Sequence, residues 1–411
     1  MADSRLKIAY LCDFSPLDPH MYSGGNRRMH DALQQHVGDV TILPQGWGLA
    51  EPLRRAIARM PLHMALRLRW RAHLALAPLI ARKVETELKR DRYDVLFTTY
   101  AFHALSRVSP PYPMLTAFTS DATQTIYRNS EVGRAHPSRY PGGRLLDAWV
   151  ESREREVFRN TDLLLWPSRW IKDEADALYG LDPDRSLEVP WGAGLKDAPP
   201  ETTVPPLGRD HPLELLIVGR DWFAKGGPTA LATMTALRAR GIDARLTVIG
   251  CVPPSELWSD HVTVHPQLDK TVPAELALFD DAFRRAHFLM QPSYESYGFA
   301  FCEASAHALP ALCLDVGGVP VRDGINGHAL APGSEATAFA NLIETYIDAP
   351  ERYRALACTA RHEFDTRLNW DAWGRSVAGS LHAALAKRDG PTQAEPPCSG
   401  SCPGPMVHPA E

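Results

Sequence analysis

The sequence has no apolar stretch long enough to cross a bilayer. No apolar run approaches the ~20 residues that a membrane-spanning helix needs. Residues 1–7 lead directly into a strand-like run, without the charged and then apolar architecture of a secretion signal. We therefore expect neither secretion nor a membrane span.

A surplus of basic residues is absent as well, and cysteine is sparse. The formal net charge is -5, whereas proteins that bind nucleic acid need positive charge to displace counterions. The seven cysteines are odd in number, and most lie in apolar runs, where a free thiol behaves as a small hydrophobic side chain. The sequence thus predicts a cytoplasmic protein without a nucleic-acid partner.

Common cofactor and metal signatures are also missing. No Gly-x-Gly-x-x-Gly follows the first strand-like run, which argues against an NAD-dependent dehydrogenase. No Asp-x-Asp motif stands where a strand would end, and no His or Cys residues show metal-ligand spacing. We therefore expect no cofactor and no metal.

Short apolar runs alternate with helical segments through most of the chain. One series begins at residues 6–12 and reaches 163–166, and a second extends from 215–219 to 311–314. This alternation predicts parallel sheets covered by helices on both faces. A chain of 411 residues is longer than the chains that usually fold around a single hydrophobic core. The fold class is therefore predicted as α/β with two doubly wound, Rossmann-like domains.

A proline-rich polar stretch separates the two series. Residues 196–208 have the composition of a linker, which predicts one domain over 1–200 and a second over 201–369. Residues 389–411 are rich in Pro, Gly and Ser and are predicted to be disordered.

Two cations follow the first strand-like run of the second domain. Arg220 and Lys225 lie in the loop after Gly219, before the next helical segment. In an open parallel sheet, ligands bind beyond the carboxyl ends of the strands, where a helix N-terminus adds a positive dipole. Two fixed cations there suit a diphosphate, although solvated cations on a turn explain the segment equally well.

Two glutamates flank a glycine-containing loop further along. Glu295 follows an apolar run, Gly298 permits a tight loop, and Glu303 is expected in the first turn of a helix over 301–309. These carboxylates can accept hydrogen bonds from sugar and ribose hydroxyls. A helix-capping role is the structural alternative for Glu303.

Several motifs occur in the order typical of one enzyme family. In the second half they are Gly219-Arg220 with Lys225-Gly226, Glu295 with Glu303, and the segments 315–320 and 323–327. In the first half they are Ser23-Gly24-Gly25 and the segments 121–123, 167–170 and 189–192. The chain from about 6 to 385 resembles the retaining GT-B glycosyltransferases of group 1, the glycogen-synthase-like superfamily.

This resemblance implies two domains that face each other across a central cleft, with the donor on the second and the acceptor on the first. A helix at about 370–388 would pack back on the first domain. The implied reaction is a retaining, metal-independent hexosyl transfer in glycan biosynthesis, from a nucleotide-diphosphate sugar of unspecified base. The acceptor, whether a glycan, a lipid or a small molecule, is left open, as is the oligomeric state.

The resemblance also implies roles for the charged residues. Arg220 and Lys225 would bind the diphosphate, Glu295 would contact the donor sugar, and Glu303 would bind the ribose. Many relatives place a histidine beside the reacting sugar, but this chain has no histidine at 119–123. Asp121 is the substitute there, and His103 is the competing candidate.

Backbone roles are implied for two glycine-containing loops. Tyr297, Gly298 and Phe299 would present amides to sugar and phosphate, and Gly24 and Gly25 would let a helix N-terminus approach the phosphate. Tight turns are the alternative explanation of the glycines.

A basic stretch distinguishes the first half. Residues 54–83 contain eight Arg or Lys and no acidic residue, interleaved with apolar side chains. An amphipathic basic helix of this kind can rest on anionic lipid. Peripheral contact with the inner membrane face is therefore one interpretation, and a solvated helix face or a cover for the acceptor cleft is the other.

Three other functions are considered on the same fold. They are a nucleotide-sugar epimerase, a glycoside phosphorylase and a catalytically silent binding subunit. No segment specifies the bound pyridoxal or second phosphate site of a phosphorylase. The intact set of Arg220, Lys225, Glu295 and Glu303 favours an active transferase over a silent subunit.

Overall fold

The computed structural model describes residues 5–13, 15–18, 24–46, 48–59, 62–134, 143–195, 199 and 204–389. The predicted linker is covered only at 199 and 204–208, and the predicted tail beyond 389 lies outside the described residues.

The first described domain is built around one parallel sheet. Its strands are β1 Leu6–Cys12, β2 Gly38–Ile42, β3 Val95–Thr99, β4 Leu115–Thr119, β5 Leu163–Trp166 and β6 Ser186–Glu188. Its helices are α1 Gly25–His36, α2 Glu51–Arg59, α3 Leu62–Leu88, α4 Phe102–Leu105, α5 Gln124–Asn129, α6 Glu131–Arg134, α7 Gly143–Asn160 and α8 Arg169–Tyr179. The strand order is β2-β1-β3-β4-β5-β6, so the direction in which strands are added reverses between β1 and β3.

The second described domain repeats this architecture. Its strands are β7 Leu213–Val218, β8 Ala244–Ile249, β9 Val262–His265, β10 Phe288–Met290, β11 Ala311–Leu314 and β12 Gly327–Leu330. Its helices, with the closing helix, are α9 Gly227–Ala239, α10 Pro273–Arg285, α11 Phe299–Ala306, α12 Ala336–Ile347, α13 Pro350–Thr366 and α14 Trp370–Asp389. The order β12-β11-β10-β7-β8-β9 reverses between β7 and β10.

The central strands are buried along their whole length because helices cover both faces of each sheet. All five residues of β3 and all three of β10 are buried. This is the sequence signature of parallel strands. The predicted fold class, α/β with two doubly wound domains, is confirmed.

Aromatic packing joins the two domains into one continuous core. The ring of Trp191, after β6, stacks on Phe299 at the start of α11 with centroids 6.0 Å apart and planes 14° apart. The Tyr297 hydroxyl donates to the Trp191 carbonyl at 2.5 Å. These contacts fix the separation of the two sheets and therefore the width of the cleft between them.

Helix α14 returns from the second domain to the first. His36 Nε2 on α1 lies 2.7 Å from Asp371 Oδ1 on α14, and the Trp373 ring meets Phe97 of β3 edge to face. The chain thus crosses between domains twice. Among the described residues, no helix combines the length and the apolar character that crossing a membrane requires.

Candidate active site

A cleft with a cavity of about 970 Å³ lies at the carboxyl edge of the second sheet. It is lined by the loops that follow β7, β8, β9 and β10, and Asp121 of the first domain contributes to the lining. The cavity therefore sits where the strand order reverses, which is the usual ligand position in open parallel sheets.

The loop between β7 and α9 presents Arg220 and Lys225 to this cavity. The backbone amide of Ala224 donates a hydrogen bond to Asp221 Oδ1 at 2.8 Å, which closes the turn. A Cβ added at Gly219 would come within 2.4 Å of Lys225 Cγ, so only glycine lets the lysine stem lie against the strand end. Arg220 is exposed, and its guanidinium makes no hydrogen bond or ion pair with the described residues.

The Glu295 carboxylate is held by three donors on one oxygen. Lys225 Nζ donates to Oε1 at 2.5 Å, and Gln291 Nε2 and Ser293 Oγ each donate to the same atom at 2.9 Å. Only 10% of the Glu295 side chain is exposed. Because Oε2 accepts no hydrogen bond from the described residues, a fixed carboxylate with one uncommitted oxygen borders the lysine.

Gln291 was missed by the sequence reasoning. It lines the cavity, and its side-chain oxygen is buried without a partner among the described residues. Buried acceptors are rarely left unsatisfied in native structures. The site therefore offers a buried oxygen that a ligand hydroxyl can satisfy.

Glu303 lies in the second turn of α11, which corrects the expectation that it occupies the first turn. The predicted helix began at residue 301, but α11 begins at Phe299 because Gly298 adopts φ 87° and turns the chain directly into the helix. No acidic residue lies in the first turn, so Glu303 is not a capping acid. It is buried, and it lines the cavity.

Lys270, in the loop after β9, is the partner of Glu303 and was also missed. Its Nζ donates to Glu303 Oε1 at 2.6 Å and to the Gly194 carbonyl at 3.1 Å. This one ammonium group thus ties the second domain to the segment after β6. The signal available in the sequence was its position at the carboxyl end of a strand.

The loop before α11 contacts the first domain through a side chain and borders the cavity. Tyr297 is buried and its hydroxyl is committed to the Trp191 carbonyl. Gly298 adopts a left-handed conformation as the N-cap of α11. All of Tyr297, Gly298 and Phe299 border the cavity, so the N-terminus of α11 faces it.

The glycine pair at the start of α1 approaches the same loop from the first domain. Gly24 has φ 80° and caps α1, and a Cβ added at Gly25 would lie 2.6 Å from Phe299 Cζ. A side chain at Gly25 would therefore push the two domains apart.

The two candidates for the position beside the reacting sugar lie in different places. Asp121 follows β4 and lines the cavity. The next helix is fixed by Thr123, which caps α5 and whose hydroxyl lies 2.6 Å from that of Tyr179. His103 is buried in α4, outside the cavity lining. Of the two, only Asp121 faces the cleft.

The Asp121 carboxyl has an unusual titration. Burial raises the pKa of Asp121 to about 6, and the Glu295 carboxylate adds to the rise, while amide hydrogen bonds from residues 121 and 122 oppose it. A carboxyl with such a pKa is partly protonated at pH 6, where an ordinary aspartate is almost fully ionised.

This pKa predicts how Asp121→Asn changes stability with pH. Below about pH 4, the carboxyl is protonated in both the folded and the unfolded state, so the difference in stability between variant and wild type should not change with pH. Between about pH 4 and pH 6, the unfolded carboxyl ionises while the folded one keeps its proton, so the wild type loses stability. Urea denaturation should therefore show Asp121→Asn becoming more stable relative to the wild type from about pH 4 to pH 6, with no further change at higher pH.

Asp91→Asn is the control of opposite sign. The Arg92 amide and Lys7 lower the pKa of the Asp91 carboxyl. The Asp91→Asn variant should therefore lose stability relative to the wild type as pH rises towards about 4, the ordinary pKa of an aspartate. An Asp121→Asn difference that is constant with pH would contradict the assigned pKa.

Comparison with known proteins identifies the second domain. Residues 212–349 match the family described as Glycosyl transferases group 1. These residues form a group 1 glycosyltransferase domain. The predicted resemblance to group 1 glycosyltransferases is thereby confirmed for this domain, and the cavity lies at the carboxyl edge of its sheet.

Two curated relatives extend beyond the group 1 domain. The chain is 31% identical over 231 residues to a D-inositol 3-phosphate glycosyltransferase of Rhodococcus erythropolis, and the match covers 51% of this chain and 51% of that protein. It is 27% identical over 263 residues to a glycogen synthase of Mycobacterium tuberculosis, covering 61% of this chain and 60% of that protein. The chain thus spans about half to three fifths of the length of these relatives.

Solved structures match nearly the whole chain. Sucrose-phosphate synthase from Thermosynechococcus elongatus superposes with a TM-score of 0.63 at 19% identity and covers 94% of this chain and 100% of that one. Anabaena HepE in complex with UDP and glucose gives 0.55 at 14% identity, with coverages of 92% and 100%. The group 1 domain is therefore the second half of a GT-B fold.

Proposed function

We propose that this chain transfers a sugar from a nucleotide-diphosphate sugar to an acceptor held by the first domain, with retention of anomeric configuration and without a donor-bound metal. The observation that carries the proposal is the convergence of Arg220, Lys225 and Glu303 on one cavity at the reversal point of the second sheet. Glu295 is joined to this set through its ion pair with Lys225.

The cations account for departure of the diphosphate. As the bond to the anomeric carbon breaks, that carbon gains oxocarbenium character and negative charge accumulates on the phosphate oxygens. Arg220 and Lys225 meet that charge, and the N-termini of α9 and α11 add their dipoles. The ion pair with Glu295 holds Lys225 in position before the donor arrives, so little reorganisation is needed.

The polar side chains account for binding of the sugar and the ribose. Glu295 Oε2 and the unsatisfied oxygen of Gln291 can each accept a hydrogen bond from a sugar hydroxyl, and Glu303 can accept hydrogen bonds from the ribose hydroxyls. Charge-assisted hydrogen bonds of this kind are stronger than neutral ones. The structure of HepE with UDP and glucose supports a donor of this chemical class.

The domain contacts account for exclusion of water, which would otherwise hydrolyse the donor. Lys270 bridges Glu303 and Gly194, and Gly25 packs against Phe299. Both contacts draw the walls of the cleft together around the bound sugar.

A donor panel tests sugar transfer against its rivals. Purified protein is incubated with nucleotide-diphosphate sugars, with and without candidate lipid, glycan and small-molecule acceptors, and release of nucleotide diphosphate is measured. Release that depends on an acceptor is expected. Isomerised donor without release would indicate an epimerase, release driven by phosphate a phosphorylase, and no turnover of any donor a silent subunit.

Retention of configuration is expected in the product. The resemblance to the retaining group 1 enzymes is the basis of this expectation, and it implies no carboxylate nucleophile of the glycosidase kind. Asp121 should therefore orient the reacting groups rather than form a covalent bond. Proton NMR of the newly formed linkage measures the configuration. An inverted linkage would contradict the proposed mechanism.

Peripheral membrane contact through 54–83 stays a prediction. Arg71 is buried and pairs with Asp147 at 2.8 Å, and Arg54 pairs with Glu51. These two cations are engaged within the protein, so any lipid contact would depend on the other basic residues of the stretch.

A further inference from the structure

Three metal-ligating side chains meet where the first sheet reverses its strand order. Asp13 directly follows β1, His103 lies in α4 just after β3, and His73 comes from α3. Ligands of open parallel sheets bind at this kind of position. The proposed donor site does not use it, because none of the three residues lines the cavity of the cleft.

The donor atoms converge on one point. His103 Nε2 lies 2.8 Å from Asp13 Oδ1 and 3.1 Å from His73 Nδ1, and all three atoms lie within 4.8 Å of one another. Two atoms bound to zinc at about 2.0–2.1 Å in tetrahedral geometry are roughly 3.3 Å apart. The two spacings from His103 Nε2 therefore lie within about half an ångström of those around a coordinated ion, and Asp13 Oδ1 and His73 Nδ1 lie no more than 4.8 Å apart.

The number of protons available to these side chains also favours a bound cation at this point. A neutral imidazole nitrogen carries either one proton or one lone pair, yet His103 Nε2 faces both a carboxylate oxygen and a second imidazole nitrogen. One shared proton serves these contacts poorly, whereas a metal ion accepts a lone pair from each atom. His103 Nδ1 is buried without a partner among the described residues, so the polar contacts of the ring are made through Nε2.

The local backbone supports a built site. Tyr100, between β3 and α4, has φ 59°, a left-handed conformation that non-glycine residues rarely adopt. Such strain concentrates at functional sites, and here it turns the chain so that His103 reaches back towards β1. The His103 and Asp13 side chains are only 4% and 10% exposed.

We propose that Asp13 Oδ1, His73 Nδ1 and His103 Nε2 bind one transition-metal ion of the zinc class. Two imidazoles and one carboxylate suit zinc and its neighbours, whereas calcium and magnesium prefer sites made of oxygen alone. Three protein ligands leave a tetrahedral position for water or a ligand oxygen. The ion would tie the chain after β1, which leads towards Gly24, to α3 and α4.

Direct metal binding tests the proposal. Full-length protein without a histidine tag is stripped with chelator, dialysed, and titrated with Zn²⁺ by calorimetry, and elemental analysis gives the stoichiometry. Binding of about one equivalent is expected, together with a cobalt absorption spectrum of a protein-ligated ion when Co²⁺ replaces Zn²⁺. Excess Mg²⁺ should not displace the cobalt.

Variants assign the ligands. His103→Gln should weaken zinc binding by more than the roughly 10- to 100-fold that loss of an outer-shell partner costs, whereas His362→Gln, an exposed histidine of α13, should bind as the wild type does. If circular dichroism shows His103→Gln unfolded, Asp13→Asn and His73→Asn give the same comparison.

Substoichiometric binding by the wild type, or equal affinity in the wild type and every folded ligand variant, would overturn the proposal and leave a shared proton as the occupant. No readout uses sugar transfer, so this result is independent of whether the proposed reaction takes place.

Discussion

Lys225→Ala and Arg220→Ala are each expected to lower turnover by about a hundredfold to a thousandfold at saturating donor, the usual cost of removing one preorganised partner of a developing anion. The physical reason is their position at the end of β7, where the leaving diphosphate gathers charge. Because the same cations also hold the intact donor, the comparison requires saturation, so that ground-state binding is separated from the chemical step.

Lys172→Ala is the matched control for Lys225→Ala. Lys172 is also partly exposed and paired with a carboxylate, Asp176, at 2.7 Å, but it lies on α8 outside the cavity lining. Its removal should leave turnover within a few-fold of the wild type. Circular dichroism of all three variants would show whether any loss reflects misfolding.

Two outcomes would contradict the leaving-group role of the cations. One is turnover near the wild-type level in both cation variants. The other is complete loss of activity on treatment with EDTA that Mg²⁺ or Mn²⁺ restores, because these ions bind donor phosphates and would share the charge. We expect that adding either ion after chelation leaves turnover unchanged.

Most strands could be predicted because parallel strands buried on both faces read as short apolar runs. The observed β5 and β11 coincide with the predicted runs at 163–166 and 311–314. The edge strands β6 and β12 were missed. Edge strands pair on one side only, and their compositions, Ser-Leu-Glu and Gly-His-Ala-Leu, carry no apolar run.

The site could be predicted where its residues follow central strands. Arg220 follows β7 and Glu295 follows β10. These two strands are neighbours, and their carboxyl ends lie at the same edge of the sheet, so the sequence was enough to predict that the two side chains belong to one site. Lys270 follows the edge strand β9, and its role depends on Glu303 and Gly194, which are far from it in the chain. A contact among three residues so distant in the chain cannot be predicted from their spacing in the sequence.

The cluster of Asp13, His73 and His103 shows the same limit more strongly. Metal-ligand motifs are recognised by short spacings on one helix or loop, but these residues lie on three elements separated by tens of residues. Only the strand order, with β3 beside β1, brings them together. The expectation that no metal is bound rested on local spacing, which cannot detect this arrangement.

Glu303→Ala is expected to weaken donor binding about 10- to 150-fold while turnover at saturating donor changes only a few-fold. A hydrogen bond to a charged group contributes about 1.5–3 kcal/mol, and each 1.4 kcal/mol is tenfold in affinity. The ribose contact is made equally in the ground state and the transition state, so its loss should appear in KM rather than kcat. Calorimetry with the nucleotide diphosphate measures the binding directly.

Glu344→Ala is the control, because Glu344 is a partly exposed carboxylate of the second domain that pairs with Arg240 away from the cleft. Lys270→Ala separates binding from domain closure: it removes the link to Gly194 but leaves the Glu303 carboxylate, so donor affinity should fall less than in Glu303→Ala. Unchanged affinity for the nucleotide diphosphate in Glu303→Ala, with a lower melting temperature, would mean that Glu303 stabilises the contact between domains and does not bind the ribose.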